Sequence, residues 1–125
     1  MGSRNFPLQM EQIEVLGSLS SSDTSRFGRA QHNLAGLYLK RRVGLRTQNV
    51  DRAVTALQKA LVVRTRESDP AGRARTLRGL ALALREWSGA ESQAHANNLA
   101  MAFQQEADEI AQEEPGAAIR TGEWG

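Results

Sequence analysis

The feature that most constrains this chain is a self-likeness at a fixed spacing. Gln31–Leu61 lies over Leu77–Ala107 at a shift of 46 residues. Leu34 then falls on Leu80, Ala35 on Ala81, Leu37 on Ala83 and Tyr38 on Leu84. Further on, Ala53 falls on Leu99, Val54 on Ala100, Ala56 on Ala102, Leu57 on Phe103 and Leu61 on Ala107. Repetition with a period of roughly 20–50 residues marks stacked supersecondary units, each unable to bury its apolar face alone. Such architectures present surfaces rather than deep catalytic pockets. The expected class of function is therefore binding.

The apolar spacing within each copy is helical. Val50, Ala53, Val54, Leu57, Ala60 and Leu61 follow a three-four rhythm after Asn49, which is placed to cap the helix. Gln31, Leu34, Ala35 and Tyr38 mark a helix that starts after Ser22 or Asp23 and ends near Arg42, with Gly44 as the turn residue beyond it. Asp69-Pro70 opens another, since aspartate caps well and proline lacks only an N–H that would be unpaired in the first turn. Its stripe is Ala74, Leu77, Leu80, Ala81 and Leu84, with Trp87 at its end. Ser88-Gly89-Ala90-Glu91 has the form of a capping box before a helix lined by Ala96, Leu99, Ala100, Phe103, Ala107 and Ile110. Pro115-Gly116 stops that helix. Met10, Ile13 and Leu16 predict one more, over Leu8–Gly17, closed by the Ser18–Ser22 cluster. No segment alternates over a strand length. The expectation is an all-α chain of about five helices.

Composition sharpens this. At 125 residues there is room for one domain, and aromatics at 5% leave Leu and Ala to do most of the packing. There is no cysteine, which removes disulfides, thiolate nucleophiles and cysteine-based zinc sites. No apolar run reaches the roughly 18 residues of a membrane span. Met1–Met10 lacks the apolar stretch of a secretory signal, so the expected location is cytoplasmic. The net charge of +2 conceals an asymmetry. Arg26–Arg85 carries 14 Lys/Arg against 3 Asp/Glu, a balance of +11; Glu86–Gly125 carries 1 Arg against 8 Asp/Glu, a balance of −7. Such charge either solvates helix faces or recruits a partner of opposite sign, including the acidic half of a second copy.

His32-Asn33-Leu34-Ala35-Gly36-Leu37-Tyr38 resembles the first helix of a tetratricopeptide (TPR) repeat, and Ala53-Val54-Thr55-Ala56-Leu57-Gln58-Lys59-Ala60-Leu61-Val62-Val63-Arg64 resembles the second. The wording is similar to the long-repeat variants found in kinesin light chains and in bacterial proteins that carry a caspase-like protease domain. The resemblance covers roughly Arg26 to Gln112. Its second copy is degenerate: Leu84 replaces the expected Tyr, and Glu106 stands opposite Ala60. It implies antiparallel hairpins stacked as a short right-handed solenoid. Residues 1–23 would be an N-terminal helix and loop, a half repeat; 24–68 and 69–114 would be the two repeats, and 115–125 a flexible tail.

The resemblance also implies a site. In such proteins the first helix of each hairpin lines a concave groove. Here that places Arg29, His32, Gly36, Leu39 and Lys40 on one wall, with Arg75, Arg78, Leu82 and Arg85 on the other. Arginine forks match carboxylates bidentately, so the expected ligand is an acidic peptide or protein segment, as for a scaffold or adaptor. The alternatives are a homodimer formed through the solenoid ends, or nucleic-acid binding by the basic half. Few aromatics stand among those arginines to stack bases, which disfavours nucleic acid. No nucleophile elbow, phosphate loop, dinucleotide fingerprint or metal-binding histidine spacing is present, so no catalytic residue, metal or cofactor is expected. His95 is expected to be polar helix surface.

Overall fold

The computed structural model of the chain describes residues 20–113. Within them the fold is all-α, with four helices and no strand: α1 Ser21–Lys40, α2 Arg46–Val63, α3 Pro70–Leu84 and α4 Gln93–Glu113. The helix expected at Leu8–Gly17 and the tail 115–125 lie outside the described residues.

Contacts give the relative directions. Near the α1–α2 connection, Arg52 stands over the Tyr38 ring at 6.0 Å. At the far ends of the same helices, a Cβ on Gly28 would lie 3.0 Å from Val63. Moving back along α1 therefore moves forward along α2, so the two run antiparallel. Asp51 and Arg64 of α2 and its cap meet Trp87 and Thr76 respectively, which sets α3 antiparallel to α2. Ala74 and Leu77 share a cluster with Ala107 and Ile110, whereas Leu84 shares one with Ala100, so α4 reverses again. It follows that α1 and α3 run parallel, and the His32–Thr76 hydrogen bond joins them.

The core is built mainly from the expected stripes of α2, α3 and α4. Val50, Ala53, Val54, Leu57 and Ala60 of α2 are buried, as are Ala74, Leu77, Leu80, Ala81 and Leu84 of α3. Ala96, Ala100, Ala107 and Ile110 line the inner side of α4. Alanine at so many contact positions lets the helices approach closely, and the leucines fill the seams. Burying each such leucine stabilises the fold by about 1.5–3 kcal/mol.

Leu34 departs from its expected equivalence with Leu80. Leu80 is fully buried, while Leu34 remains 38% exposed. The difference is one of neighbours: α3 lies beneath α2, and the matching face of α1 has no described helix across it. Leu37, matched to buried Ala83, is likewise exposed.

Three caps also fall elsewhere than the sequence suggested. Ser20, not Ser22 or Asp23, caps α1, accepting from the Asp23 N–H at 3.2 Å. Its hydroxyl donates back to the Asp23 carboxylate, so the first turn closes on itself. α2 begins at Arg46, a turn before Asn49; Asn49 is buried, and its side-chain amide donates to the Val43 carbonyl, closing the turn made by Gly44 at φ 85°. The α4 cap is Ser92, whose hydroxyl accepts from the His95 N–H, rather than Ser88. The intervening chain first carries Trp87 back onto α2, where its indole N–H donates to Asp51. Asp69 and Pro70 behave as expected, with the Asp69 carboxylate accepting from the Gly72 N–H at 2.9 Å.

Candidate functional site

The nine residues expected along the groove divide into two groups. His32 and Gly36 are buried rather than part of a solvent-facing wall, and His32 meets Thr76 across the α1–α3 crossing. Arg29, Lys40, Leu82 and Arg85 are exposed, and Leu39, Arg75 and Arg78 are partly buried. At about 1.5 Å of rise per residue, Arg29 and Lys40 lie roughly 16 Å apart along α1, and Arg75 and Arg85 roughly 15 Å along α3. The exposed cations therefore do not form one cluster: Arg29 and Lys40 stand well apart on α1, and Arg85 stands at the C-terminal end of α3.

Arg78 is turned away from the groove. Its guanidinium pairs with Asp108 of α4 at 3.1 Å. This pair belongs to a wider pattern that explains much of the charge asymmetry. Arg73 binds Glu106 through two nitrogens, Arg66 reaches Glu109 and Glu113, and Arg46 forks onto Glu86. Among the described residues, Glu86, Glu106, Asp108, Glu109 and Glu113 of the acidic half are thus engaged by arginines of the basic half within the same molecule. The Arg46 hydrogen bond holds the Glu86 carboxyl below the usual carboxylate range, against the opposing effect of desolvation. Exposed Arg26, Arg29, Lys40, Arg41, Arg42 and Arg85 have no ion pair shown among the described residues, and they concentrate on α1 and its end.

Beneath the α1–α3 crossing lies a polar network that the sequence did not announce. Arg64, the C-cap of α2, is only 6% exposed. Its Nη1 donates to the Thr76 hydroxyl at 3.1 Å and to the Gly72 carbonyl at 3.3 Å. Thr76 Oγ1 is in turn 3.0 Å from His32 Nδ1. The Thr76 hydroxyl thus bridges Arg64 and His32. Arg64 Nε has no hydrogen-bond partner among the described residues, and the Asp69 carboxylate lies 3.8 Å from it.

Burial pushes the Arg64 guanidinium below the usual arginine range; Asp69 opposes the shift, and Arg75 and Arg29 reinforce it. Gly28 makes the approach of α1 feasible, since a Cβ there would sit 3.1 Å from Arg64 Cγ and 3.2 Å from Nε. Arg29 and Arg75 are the chain neighbours of Gly28 and of Thr76 respectively. Both arginines therefore lie near the buried charge. Local spacing could not identify Arg64, because its partners lie elsewhere along the chain and it resembles any basic residue at a helix end.

Among the described residues, no group of histidine, aspartate and glutamate side chains is arranged to hold a metal ion. No described helix is long and apolar enough to cross a membrane. His95 is exposed on α4, as expected. Compared with protein-family models, curated proteins and solved structures, the chain finds no match.

Proposed function

We propose that this chain is a non-catalytic protein–protein interaction module, a TPR-like scaffold or adaptor that holds an acidic peptide segment along α1 and α3. In this reading the helices stack as a short right-handed solenoid of about five helices, the fifth being Leu8–Gly17, and the module works in the cytoplasm. The parallel course of α1 and α3, with α2 behind them, is the relation that first helices of successive hairpins have in such a stack.

The observation that carries the reading is the division of charge. Acidic groups of α4 and the preceding turn are engaged by Arg46, Arg66, Arg73 and Arg78. Arg29 and Lys40 on α1 and Arg85 at the end of α3 stay exposed, as does Leu82 of α3, at 41%. An extended acidic segment would meet cations on both sides and one apolar contact. Such complementarity favours rapid encounter and selects by charge.

A fluorescein-labelled Glu/Asp-rich peptide, titrated with the full chain at two salt concentrations, tests this by anisotropy. The reading predicts saturable binding that weakens with salt and falls at least tenfold in Arg29→Glu/Arg85→Glu. Arg78→Glu is unsuitable for the purpose, because it also breaks the pair with Asp108. Unchanged binding in the double variant, with helix content preserved, refutes the groove.

A further inference from the structure

The turn between α1 and α2 sets a local rule aside. Leu45 stands at the N-cap of α2, where Ser, Thr, Asp or Asn would accept a backbone N–H, and its side chain makes no cap hydrogen bond. Leu45 is 62% exposed, and Val43, two residues before it, is 69% exposed. Apolar residues that stand singly on a surface need no explanation. These two flank one glycine, and one of them costs a helix its cap while burying little within the fold. A residue that breaks a local preference with no gain nearby points to a role outside the fold.

The exposure is built in. Gly44 takes a φ of 85°, and a Cβ placed on it would meet no heavy atom within 4 Å, so the turn projects into open space. Both sides of the turn are tied to α2. The Asn49 side-chain amide donates to the Val43 carbonyl at 3.1 Å, and Arg46 Nη1 donates to the Leu39 carbonyl at 2.6 Å. Arg46 also forks onto Glu86, beyond the end of α3, at 3.0 and 2.7 Å. Val43 and Leu45 are therefore held outward at a convex tip. Such a tip offers no walls to a peptide, but it can enter a soft surface.

The charge around the tip has one sign. Lys40, Arg41 and Arg42 lead into the turn, all exposed and with no ion pair shown among the described residues. The sequence has no Asp or Glu between Asp23 and Asp51. Three acidic groups belong to this end of the molecule. Arg46 holds Glu86, the Trp87 indole N–H donates to Asp51, and Glu91 is exposed in the turn before α4. Apolar side chains at a tip with cations behind them suit the boundary between water and acyl chains. The apolar groups enter while the cations meet anionic headgroups. An acidic peptide would use the cations and leave Val43 and Leu45 unused.

We propose that the Lys40–Leu45 turn docks this chain on the surface of an anionic lipid bilayer. Val43 and Leu45 enter the headgroup region, and Lys40, Arg41 and Arg42 meet the lipid phosphates. This is contact with a surface and not a span, for no described helix is long and apolar enough to cross a membrane. The proposal does not depend on the α1–α3 groove. A contact this small is reversible and sensitive to lipid charge and to salt.

Co-flotation of the full chain with vesicles tests it. Phosphatidylcholine vesicles are compared with vesicles in which about one lipid in three is phosphatidylserine. The expected result is flotation with the phosphatidylserine vesicles alone, weakened by salt. Arg41→Gln/Arg42→Gln should lower partitioning at least tenfold, and Val43→Ser/Leu45→Ser at least fivefold with the charge unchanged. Leu45→Ser by itself supplies α2 with a cap, so it should raise the urea midpoint while lowering partitioning. The lack of native cysteine allows one environment-sensitive fluorophore to be placed at a time, through Val43→Cys or Met101→Cys. Met101 is 65% exposed on α4 and serves as the control. Vesicles should brighten and blue-shift the label at position 43 and not the one at 101.

No flotation with phosphatidylserine vesicles at low salt overturns the proposal. Partitioning unchanged in Val43→Ser/Leu45→Ser overturns it as well, and so does an equal shift of both labels. An equal loss in Arg26→Gln/Arg29→Gln, at the other end of α1, reduces the effect to diffuse charge and also overturns it. If vesicles do not bind and Val43→Ser/Leu45→Ser instead abolishes capture of the acidic peptide, the turn belongs to a protein partner. Failure of the groove is read separately, from Arg29→Glu/Arg85→Glu in the peptide assay.

Discussion

Thr76→Val probes the buried network at the α1–α3 crossing with little change of side-chain shape. The hydroxyl is fully buried and makes two hydrogen bonds, from Arg64 Nη1 at 3.1 Å and with His32 Nδ1 at 3.0 Å. Hydrogen bonds to charged groups contribute about 1.5–3 kcal/mol and neutral ones about 0.5–1.5 kcal/mol. The added methyl regains about 0.8 kcal/mol. Arg64 keeps the Gly72 carbonyl, so its charge is not stranded. The expected net loss is about 2 kcal/mol, equivalent to a fall in Tm on the order of 10 °C for a domain of this size.

Urea unfolding followed by circular dichroism reads this as a lower midpoint at unchanged slope. Thr55→Val is the control: its exposed hydroxyl donates to the Asp51 carbonyl, and its removal is expected to change stability by less than about 0.5 kcal/mol. If Arg64 is what needs the Thr76 oxygen, adding Thr76→Val to Arg64→Met costs less than it does in the parent chain. Equal losses in Thr76→Val and Thr55→Val, or strict additivity with Arg64→Met, would refute the bridging role of the hydroxyl.

Other outcomes follow from the packing and the caps. Leu80→Ala, at a fully buried seam, is expected to cost about 2–5 kcal/mol, and Leu37→Ala less than about 0.5 kcal/mol, in the same unfolding assay. Asp69→Ala removes the cap on the Gly72 N–H and the carboxylate nearest Arg64, so a loss of at least about 1 kcal/mol is expected, whereas Asp69→Asn should retain most of the cap. Glu86 has a folded-state pKa below its unfolded value, so its contribution is present above about pH 4.3 and is lost as pH falls through the folded value. Both partners of the Arg46–Glu86 pair are nearly half exposed, which limits the effect to under about 1 kcal/mol. Stability profiles of the parent chain and Glu86→Gln should therefore converge slightly between about pH 5 and 3, and more weakly in high salt.

Much of the fold was legible in the sequence because it is written at short range. The stripes of α2, α3 and α4 were set by apolar residues three and four apart, and all are buried except Leu61, Leu99 and Phe103, which are partly buried against the core. Asp69-Pro70 and Gly44 acted through their own backbone chemistry. Caps were less legible where several serines and asparagines stood near one another, as at Ser20–Asp23 and Ser88–Ser92, because packing of the flanking helix chooses among them.

The proposed binding face was legible only as a charge pattern. Sequence placed Arg78 with Arg75 and Arg85, but the neighbouring α4 offered it Asp108 and turned it aside. Sequence likewise treated His32 as a groove residue, but the parallel approach of α1 and α3 enclosed it with Thr76.

By itself, then, the order of residues determined that this chain makes amphipathic helices, which faces most of them bury, and that the pattern recurs after 46 positions. Tertiary structure alone decided which charges pair, that Arg64 is buried, and that Leu34 and Leu80 meet different surroundings despite their shared register. The physical reason is range. Helix faces are fixed by neighbours within one turn, whereas the environment of a polar group or of a seam depends on which distant helix is laid across it.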